Sequence, residues 1–123
     1  MITGIGIIAL KCKDWEGMII FYRDTLGLPV RLVDEAHKYA MFFTGDVRFA
    51  IEDIGIAPAN PPEPDQSVVV VNFRVEGLEG TVAELSAKGV AFSSDIRQGP
   101  GYRYAKFADP EGNQHVLFER QAS

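Results

Sequence analysis

The sequence predicts an α+β fold built from two copies of a βαβββ module. Three observations lead to this prediction: two amphipathic helix patterns that each end at a glycine, short apolar strand-like runs around them, and a proline-containing stretch between the halves. We place the modules at residues 1–53 and 68–119, with a linker at 54–67, in a single domain covering 1–123. A chain of this length buries about two-thirds of its unfolded surface on folding.

The first module begins with an apolar, β-branched strand at residues 5–10. Asp14 then offers a side-chain oxygen to cap a helix over residues 15–26, where apolar residues recur at helical spacing. Gly27 is suited to the left-handed backbone conformation that commonly ends a helix. Three short runs separated by polar or glycine-containing breaks complete the module as strands, at residues 29–34, 39–43 and 47–52.

The second module follows a linker in which proline removes the backbone donors that a helix or central strand needs. Four prolines lie in that linker: Pro58, Pro61, Pro62 and Pro64. A buried-type strand is predicted at residues 68–73, and a second helix containing Leu78 and Leu85 stops at Gly89. Three strands follow, at residues 91–94, 102–107 and 114–119, and residues 99–101 are interpreted as a turn.

The two modules share short residue motifs as well as their pattern of predicted elements, which supports an internal repeat. Trp15-Glu16-Gly17 opens the first helix, and Leu78-Glu79-Gly80 opens the second. A unit with one helix and four strands cannot cover both faces of its sheet, so two such units are expected together. Late in the chain, Asp109-Pro110-Glu111-Gly112-Asn113 predicts a tight turn between two strands of a hairpin.

Composition excludes several classes of protein. The net charge is -5 and no cluster of Lys and Arg provides a phosphate-binding surface, so nucleic acid is not an expected partner. Cys12 is the only cysteine, which excludes an internal disulfide and is consistent with a reducing compartment. No apolar run approaches the roughly 20 residues that span a bilayer, and no basic residue precedes the apolar start as in a signal peptide. We expect a cytoplasmic protein without a membrane partner.

Two motifs near opposite ends of the chain resemble those of the vicinal oxygen chelate superfamily. They are Phe21-Tyr22-Arg23-Asp24 with Leu26-Gly27-Leu28 after the capping Asp14, and Asp109-Pro110-Glu111-Gly112-Asn113. That superfamily groups glyoxalase I, bleomycin-resistance proteins and extradiol dioxygenases. The resemblance implies two βαβββ modules whose mostly antiparallel strands curl into an open cup with a ligand or metal inside. It also implies a homodimer, because many members are dimers.

The resemblance further implies where metal ligands would lie, and this chain has apolar residues there. Metal-dependent members typically place a His on the first strand of each module and a Glu on the last. The corresponding positions are Ile7, Val70, Phe49 and Val116. We therefore expect no metal and no cofactor. Glu52 and Glu119 lie near the ends of the last strands and are interpreted as solvated carboxylates; His115 is expected to be structural and His37 exposed at a hairpin tip.

The leading hypothesis is a metal-free protein, similar to bleomycin-resistance proteins, that binds a small, partly aromatic molecule in the cup. The lining would be Ile7, Phe43, Phe49, Val70, Tyr104, Val116 and Phe118. Tyr102, Arg103 and Tyr104 form a group that could hold a planar or anionic ligand, although cross-strand pairing on the sheet surface is the favoured interpretation. Two alternatives stay open: a metal-dependent lyase, isomerase or dioxygenase of the glyoxalase type, and a non-catalytic interaction module.

Overall fold

The computed structural model describes residues 1–55 and 69–121 and divides the chain into two compact units, Met1–Pro58 and Ala59–Ser123. Within those residues, each unit contains one sheet and one helical segment, as the α+β prediction requires. Most of the predicted linker at 54–67 lies outside the described residues. Within the described residues, no helix is long and apolar enough to cross a membrane.

The first unit is a four-stranded sheet with the predicted β-α-β-β-β order. Its elements are β1 (Ile7–Cys12), α1 (Trp15–Ile19), β2 (Val30–Asp34), β3 (Tyr39–Phe42) and β4 (Arg48–Asp53). The strand order is β1-β4-β3-β2. β1 and β4 are parallel, whereas β2, β3 and β4 are joined by antiparallel pairs. The helix therefore follows the edge strand β1. The next three strands form an antiparallel meander, and its last strand, β4, pairs with β1.

The helix of the first unit begins at the predicted residue and ends one residue before the predicted end, but it changes form midway. Asp14 caps it, accepting a hydrogen bond from the Gly17 backbone N–H at 3.1 Å. After α1 the chain continues as a π-helical segment over Ile20–Thr25, in which the Leu26 N–H donates to the Phe21 carbonyl at 2.8 Å. Gly27 has a φ of 75°, which confirms its predicted role as the left-handed terminator.

The described part of the second unit contains one strand more than the sequence predicts. Its elements are β5 (Val71–Arg74), α2 (Leu78–Ala87), β6 (Ala91–Phe92), β7 (Arg97–Gly99), β8 (Tyr102–Ala108) and β9 (Gln114–Arg120). The strand order is β5-β9-β8-β6, with β7 also paired to β8. The extra strand β7 forms a hairpin with β8, and the predicted turn at Gly99 is shortened to Pro100 and Gly101, whose φ is 78°. Short, polar Arg97–Gly99 has no apolar alternation, so it was not recognised as a strand.

Each helix packs on one face of its own sheet, and this contact forms the core of each unit. In the first unit the Tyr22 ring lies 4.9 Å from the Phe49 ring and 6.2 Å from the Phe42 ring. In the second unit Leu78 and Leu85 of α2 are buried, as are Phe107 and Leu117 on the strands. Among the residues that the structure describes, no helix of the same unit covers the opposite face of either sheet, and we call that face the open face.

The predicted hairpin turn at residues 109–113 is confirmed, and its first residue holds it together. The Asp109 carboxylate accepts hydrogen bonds from the backbone N–H of Glu111 at 3.0 Å and of Asn113 at 2.9 Å. It also accepts from the Asn113 side-chain amide at 2.8 Å. Because one carboxylate satisfies three donors, the turn fixes the start of β9 and so the register of the residues that follow.

Candidate functional site

The open face of the second sheet contains most of the residues that the sequence predicts to bind a ligand. Side chains alternate between faces along a strand, and residues paired across strands share a face. Leu117 and His115 of β9 are buried on the α2 side, so Val116 and Phe118 belong to the open face. Tyr104 pairs with Phe118, and Tyr102 lies two residues from Tyr104 on the same strand.

Three aromatic side chains form one continuous surface on this open face. The Tyr102 ring lies 5.6 Å from the Tyr104 ring and 6.4 Å from the Phe118 ring, the second contact being edge-to-face. All three side chains are half-buried, so each ring retains exposed area. An aromatic surface of this kind can bury a planar molecule at about 25 cal/mol for each Å² of apolar area removed from water.

Arg103 does not share this face, although the sequence analysis grouped it with its two tyrosine neighbours. Its guanidinium forms an ion pair with Glu79 in the first turn of α2 and another with Glu119 of β9, the latter at 2.8 Å. Arg103 therefore lies on the α2 side of the sheet, where it joins strand to helix. The hydrogen bond from Arg103 lowers the pKa of Glu79 to about 2, and Glu79 together with Glu119 raises the pKa of Arg103.

Glu119 has a structural partner on the helix side, which the interpretation as a solvated strand-end carboxylate did not foresee. It accepts hydrogen bonds from the backbone N–H groups of Gly77 at 2.8 Å and Leu78 at 3.4 Å, at the start of α2. The helix has no side-chain cap from Gly77 itself, so Glu119 supplies the missing acceptor from the last strand. These backbone donors and Arg103 lower the pKa of Glu119.

In the first unit, Ile7 and Phe43 lie on the open face as the sequence analysis expects, but Phe49 does not. Phe49 pairs with Ile8, and its ring is buried against Tyr22 of the helix, with 2% of its surface exposed. The prediction that Phe49 shares a face with Ile7 is therefore wrong. The residue that takes the predicted place on the open face is Ala50, which pairs with Ala9.

The error at Phe49 has a simple cause in the two hairpins. Phe42 pairs with Phe49, whereas its counterpart Phe107 pairs with His115, so the first hairpin is one residue shorter than the second. Aligning the modules on Gly45 and Gly112 ignored this difference, and a shift of one residue exchanges the faces of a strand. The observed pairs Tyr39 with Glu52 and Tyr104 with Phe118 show the same difference of one residue.

The donor set on the open faces does not fit a metal ion. The family positions hold Ile7, Ala50 and Val116, with Val70 directly before β5, and none offers an oxygen or imidazole ligand. Glu52 does lie on the open face, where it forms an ion pair with Lys11. Among residues 1–55 and 69–121, no three His, Cys, Asp or Glu side chains come close enough together to hold an ion. We therefore derive no metal-dependent step.

His115 is buried and His37 is exposed at a hairpin tip, as the sequence analysis expects. His115 is 2% exposed on the α2 side, with its Nε2 atom 3.9 Å from Asp109 Oδ2. Burial lowers the pKa of His115 to about 4, against the opposing attraction of Asp109. His37 is exposed in the β2–β3 connection, where its Nδ1 atom lies 2.8 Å from the Asp34 carboxylate.

A separate open depression of about 610 Å³ lies in the second unit beside α2. It is lined by Val82 and Ser86 of the helix and by the chain from Phe92 to Arg97. None of the nine residues that the sequence analysis assigned to ligand binding lines it. Arg97, which lines it, pairs with Tyr104, so the depression adjoins the aromatic surface.

Comparison with known proteins links the chain to a family through nearly its whole length. The family model described as "Glyoxalase/Bleomycin resistance protein/Dioxygenase superfamily" matches residues 4–117. The chain is 29% identical over 121 residues to the uncharacterized protein YraH of Bacillus subtilis, covering 91% of this chain and 94% of that protein.

Solved structures show the same fold at lower sequence identity. A member of the glyoxalase/bleomycin resistance protein/dioxygenase superfamily from Sphaerobacter thermophilus gives a TM-score of 0.78 at 21% identity, covering 98% of this chain and 99% of that one. A glyoxalase family protein from Enterococcus faecalis gives a TM-score of 0.77 at 23% identity, covering 95% and 98%. These similarities confirm the fold expected from the two sequence motifs.

Proposed function

Since this chain belongs to the Glyoxalase/Bleomycin resistance protein/Dioxygenase superfamily, we propose that it binds a small, partly aromatic molecule without using a metal ion. The single observation that supports this proposal is the aromatic surface of Tyr102, Tyr104 and Phe118 on the open face of the second sheet. Val116 extends that surface with an apolar side chain next to Phe118 along β9. Val70, directly before β5, stays a predicted contributor to this surface, whereas Arg103 does not; Ile7 and Phe43 stay predictions for the open face of the first unit, and Phe49 does not.

The proposed binding would rest on apolar burial and ring contact. Each aromatic pair contributes about 0.5–1.5 kcal/mol beyond the area that it buries. Half-buried rings on a sheet are also held in place by their cross-strand neighbours, so little side-chain entropy is lost when a ligand binds. The role would be capture or sequestration of the bound molecule, with no residue of the chain assigned to a reaction.

The test is a thermal-shift screen of small planar aromatic molecules, followed by titration calorimetry of those that raise the melting temperature. We expect at least one compound to bind, and Phe118→Ala and Tyr104→Ala to weaken it at least about tenfold. Ile20→Ala, which removes an exposed side chain of the helical segment in the first unit, is the control and should leave binding unchanged. If no compound binds, the interaction-module alternative replaces this proposal.

A second measurement separates the proposal from the metal-dependent alternative. Protein purified without chelators and analysed for Ni, Zn, Fe and Mn should contain far less than one equivalent, because the open faces lack a ligand cluster. Adding these metals should also leave the isomerisation of a hemithioacetal at the background rate. Stoichiometric metal that is lost in Glu52→Gln would instead support the enzyme alternative.

We also propose a homodimer, as the resemblance to dimeric family members suggests. Sheet edges and exposed apolar side chains gain cover from a second copy of the chain. Light scattering at micromolar concentration should give about twice the 13.5 kDa mass of the monomer. A mass near that of one chain would count against it.

A further inference from the structure

One row of residues crosses the second sheet on its open face with a cation at each end. Arg74 of β5 pairs with Phe118 of β9, Phe118 pairs with Tyr104 of β8, and Tyr104 pairs with Arg97 of β7. Neighbouring strands lie about 4.8 Å apart, so each arginine is one strand away from an aromatic ring. The order along the row is cation, aromatic, aromatic, cation.

The corresponding row of the first sheet has a different charge pattern. Lys11 lies four residues before the first residue of α1, as Arg74 lies four before the first residue of α2, and both pair in parallel with the last strand of their unit. Lys11 pairs with Glu52, Glu52 with Tyr39, and Tyr39 with Asp34. The first row therefore contains one cation and two carboxylates, and the second contains two cations and none.

Both carboxylates of the first row have polar partners within their own unit. Glu52 forms the ion pair with Lys11, and Asp34 accepts from the His37 backbone N–H and lies against its ring. In the second row Phe118 replaces Glu52, and Arg97 replaces Asp34. Arg74 thus keeps the position of Lys11 but loses the intramolecular carboxylate that its counterpart has. Among the described residues, neither Arg74 nor Arg97 forms an ion pair.

Charges within the second unit are sorted by face. Open-face positions on the described strands β5, β7, β8 and β9 include no Asp or Glu. The carboxylates of Glu79 and Glu119 lie on the α2 side, where both bind Arg103. The chain as a whole carries a net charge of -5, so this cationic, aromatic face differs from the average surface.

We propose that the ligand of this face is an aromatic carboxylate, whose anionic group takes the place that Glu52 has in the first unit. The aromatic part would contact Tyr104 and Phe118, and the carboxylate would accept hydrogen bonds from the Arg74 guanidinium, which binds such groups in a planar, two-point geometry. Arg97 would provide a second positive charge at the opposite end of the row. This inference rests on the proposed function and names the chemical class of its ligand.

The experiment compares two probes of nearly the same shape by calorimetry: 2-naphthoate, which is charged, and 2-naphthamide, which is neutral. We expect naphthoate to bind at least about tenfold more tightly than naphthamide. Arg74→Met should abolish most of that ratio while leaving naphthamide affinity unchanged, and Arg97→Met should reduce it less. Arg31→Met, which removes an exposed arginine of β2, is the matched control and should leave the ratio intact.

A second pair of variants recreates the charge pattern of the first unit. Phe118→Glu places a carboxylate beside Arg74, as Glu52 lies beside Lys11, and should eliminate the preference for naphthoate. The glutamine introduced by Phe118→Gln has the size of glutamate without its charge. This variant should therefore bind both probes more weakly but keep the preference for naphthoate. Circular dichroism would establish that both variants fold.

Each outcome bears on one of the two proposals. Equal affinities for the two probes, or an unchanged ratio in Arg74→Met, would overturn the carboxylate inference while leaving aromatic binding intact. If neither probe binds but a neutral compound from the aromatic screen does, the inference again fails and the proposed function stands. If no aromatic compound of any charge binds, both are overturned.

Discussion

The ring of Tyr102 covers Gly99, its cross-strand partner on β7. A Cβ atom built on Gly99 would lie 2.5 Å from Cζ of Tyr102, closer than real atoms approach. The glycine therefore supplies the space in which the first ring of the aromatic surface lies. Tyr102 in turn shields a backbone segment that has no side chain of its own, an arrangement known to stabilise glycines in sheets.

We expect Gly99→Ala to displace Tyr102 and to weaken binding of an aromatic ligand. The added methyl group must push the ring away, so the free energy of unfolding should fall by about 1–3 kcal/mol, as when a packed site is overfilled. Urea denaturation would measure the loss of stability. The near-ultraviolet circular dichroism of tyrosine would report the displacement of the ring. Gly80→Ala is the control, since nothing lies within 4 Å of its added Cβ and alanine favours the helix.

Because Phe49 lies on the buried face and Ile7 on the open face, replacing each with alanine should lower the stability of the protein by very different amounts. Phe49→Ala should lower the free energy of unfolding by about 3–5 kcal/mol, because it leaves a cavity next to Tyr22. Ile7→Ala, on the open face with 49% of its surface exposed, should cost about 1 kcal/mol or less. Chemical denaturation of both variants checks this, and similar losses for the two would show that the face assignment is incorrect.

Removal of the carboxylate that caps α2 should destabilise the second unit. Glu119→Ala leaves the backbone donors of Gly77 and Leu78 without their acceptor and takes one partner from Arg103. We expect the melting temperature to fall by several degrees. Glu84→Ala removes only an exposed i,i+4 pair with Lys88 and should change it little. Equal effects of the two variants would argue against a capping role.

Burial of His115 makes stability depend on pH in the weakly acidic range. Its folded pKa of about 4 lies below the unfolded value near 6.5, so the unfolded chain binds the proton more readily. The stabilisation is complete above pH 6.5 and is lost as the pH falls towards 4. In a His37→Gln background, where His115 is the only histidine, denaturation curves at several pH values should show this decline.

The control for that measurement is a further substitution of the remaining histidine. His115→Phe keeps a ring in the contact with Phe73 and Phe107 but cannot be protonated. Its free energy of unfolding should therefore decline less between pH 6.5 and pH 4 than that of the histidine protein. NMR titration of the ring protons would give the folded pKa directly, and a value near 6.5 would refute the argument.

Local features of the chain were sufficient to predict both helices, their ends, most of the strands and the family. Asp14 as a cap, and Gly27 and Gly89 as terminators with φ of 75° and 89°, are determined by backbone chemistry within a few residues. The turn that begins at Asp109 is likewise local, because its carboxylate binds donors at most four residues away. Such contacts depend little on the rest of the fold, so the sequence alone determines them.

Only the tertiary structure decided which residues share a face and which charges meet. The pairing of Phe42 with Phe49 depends on a hairpin one residue shorter than its counterpart, and that difference moved Phe49 from the open face to the core. The partners of Arg103 and Glu119 lie on another element, at sequence separations that no local pattern reports. The cationic, aromatic row containing Arg74 and Phe118 exists because four strands align in one register, and register is a property of the sheet as a whole.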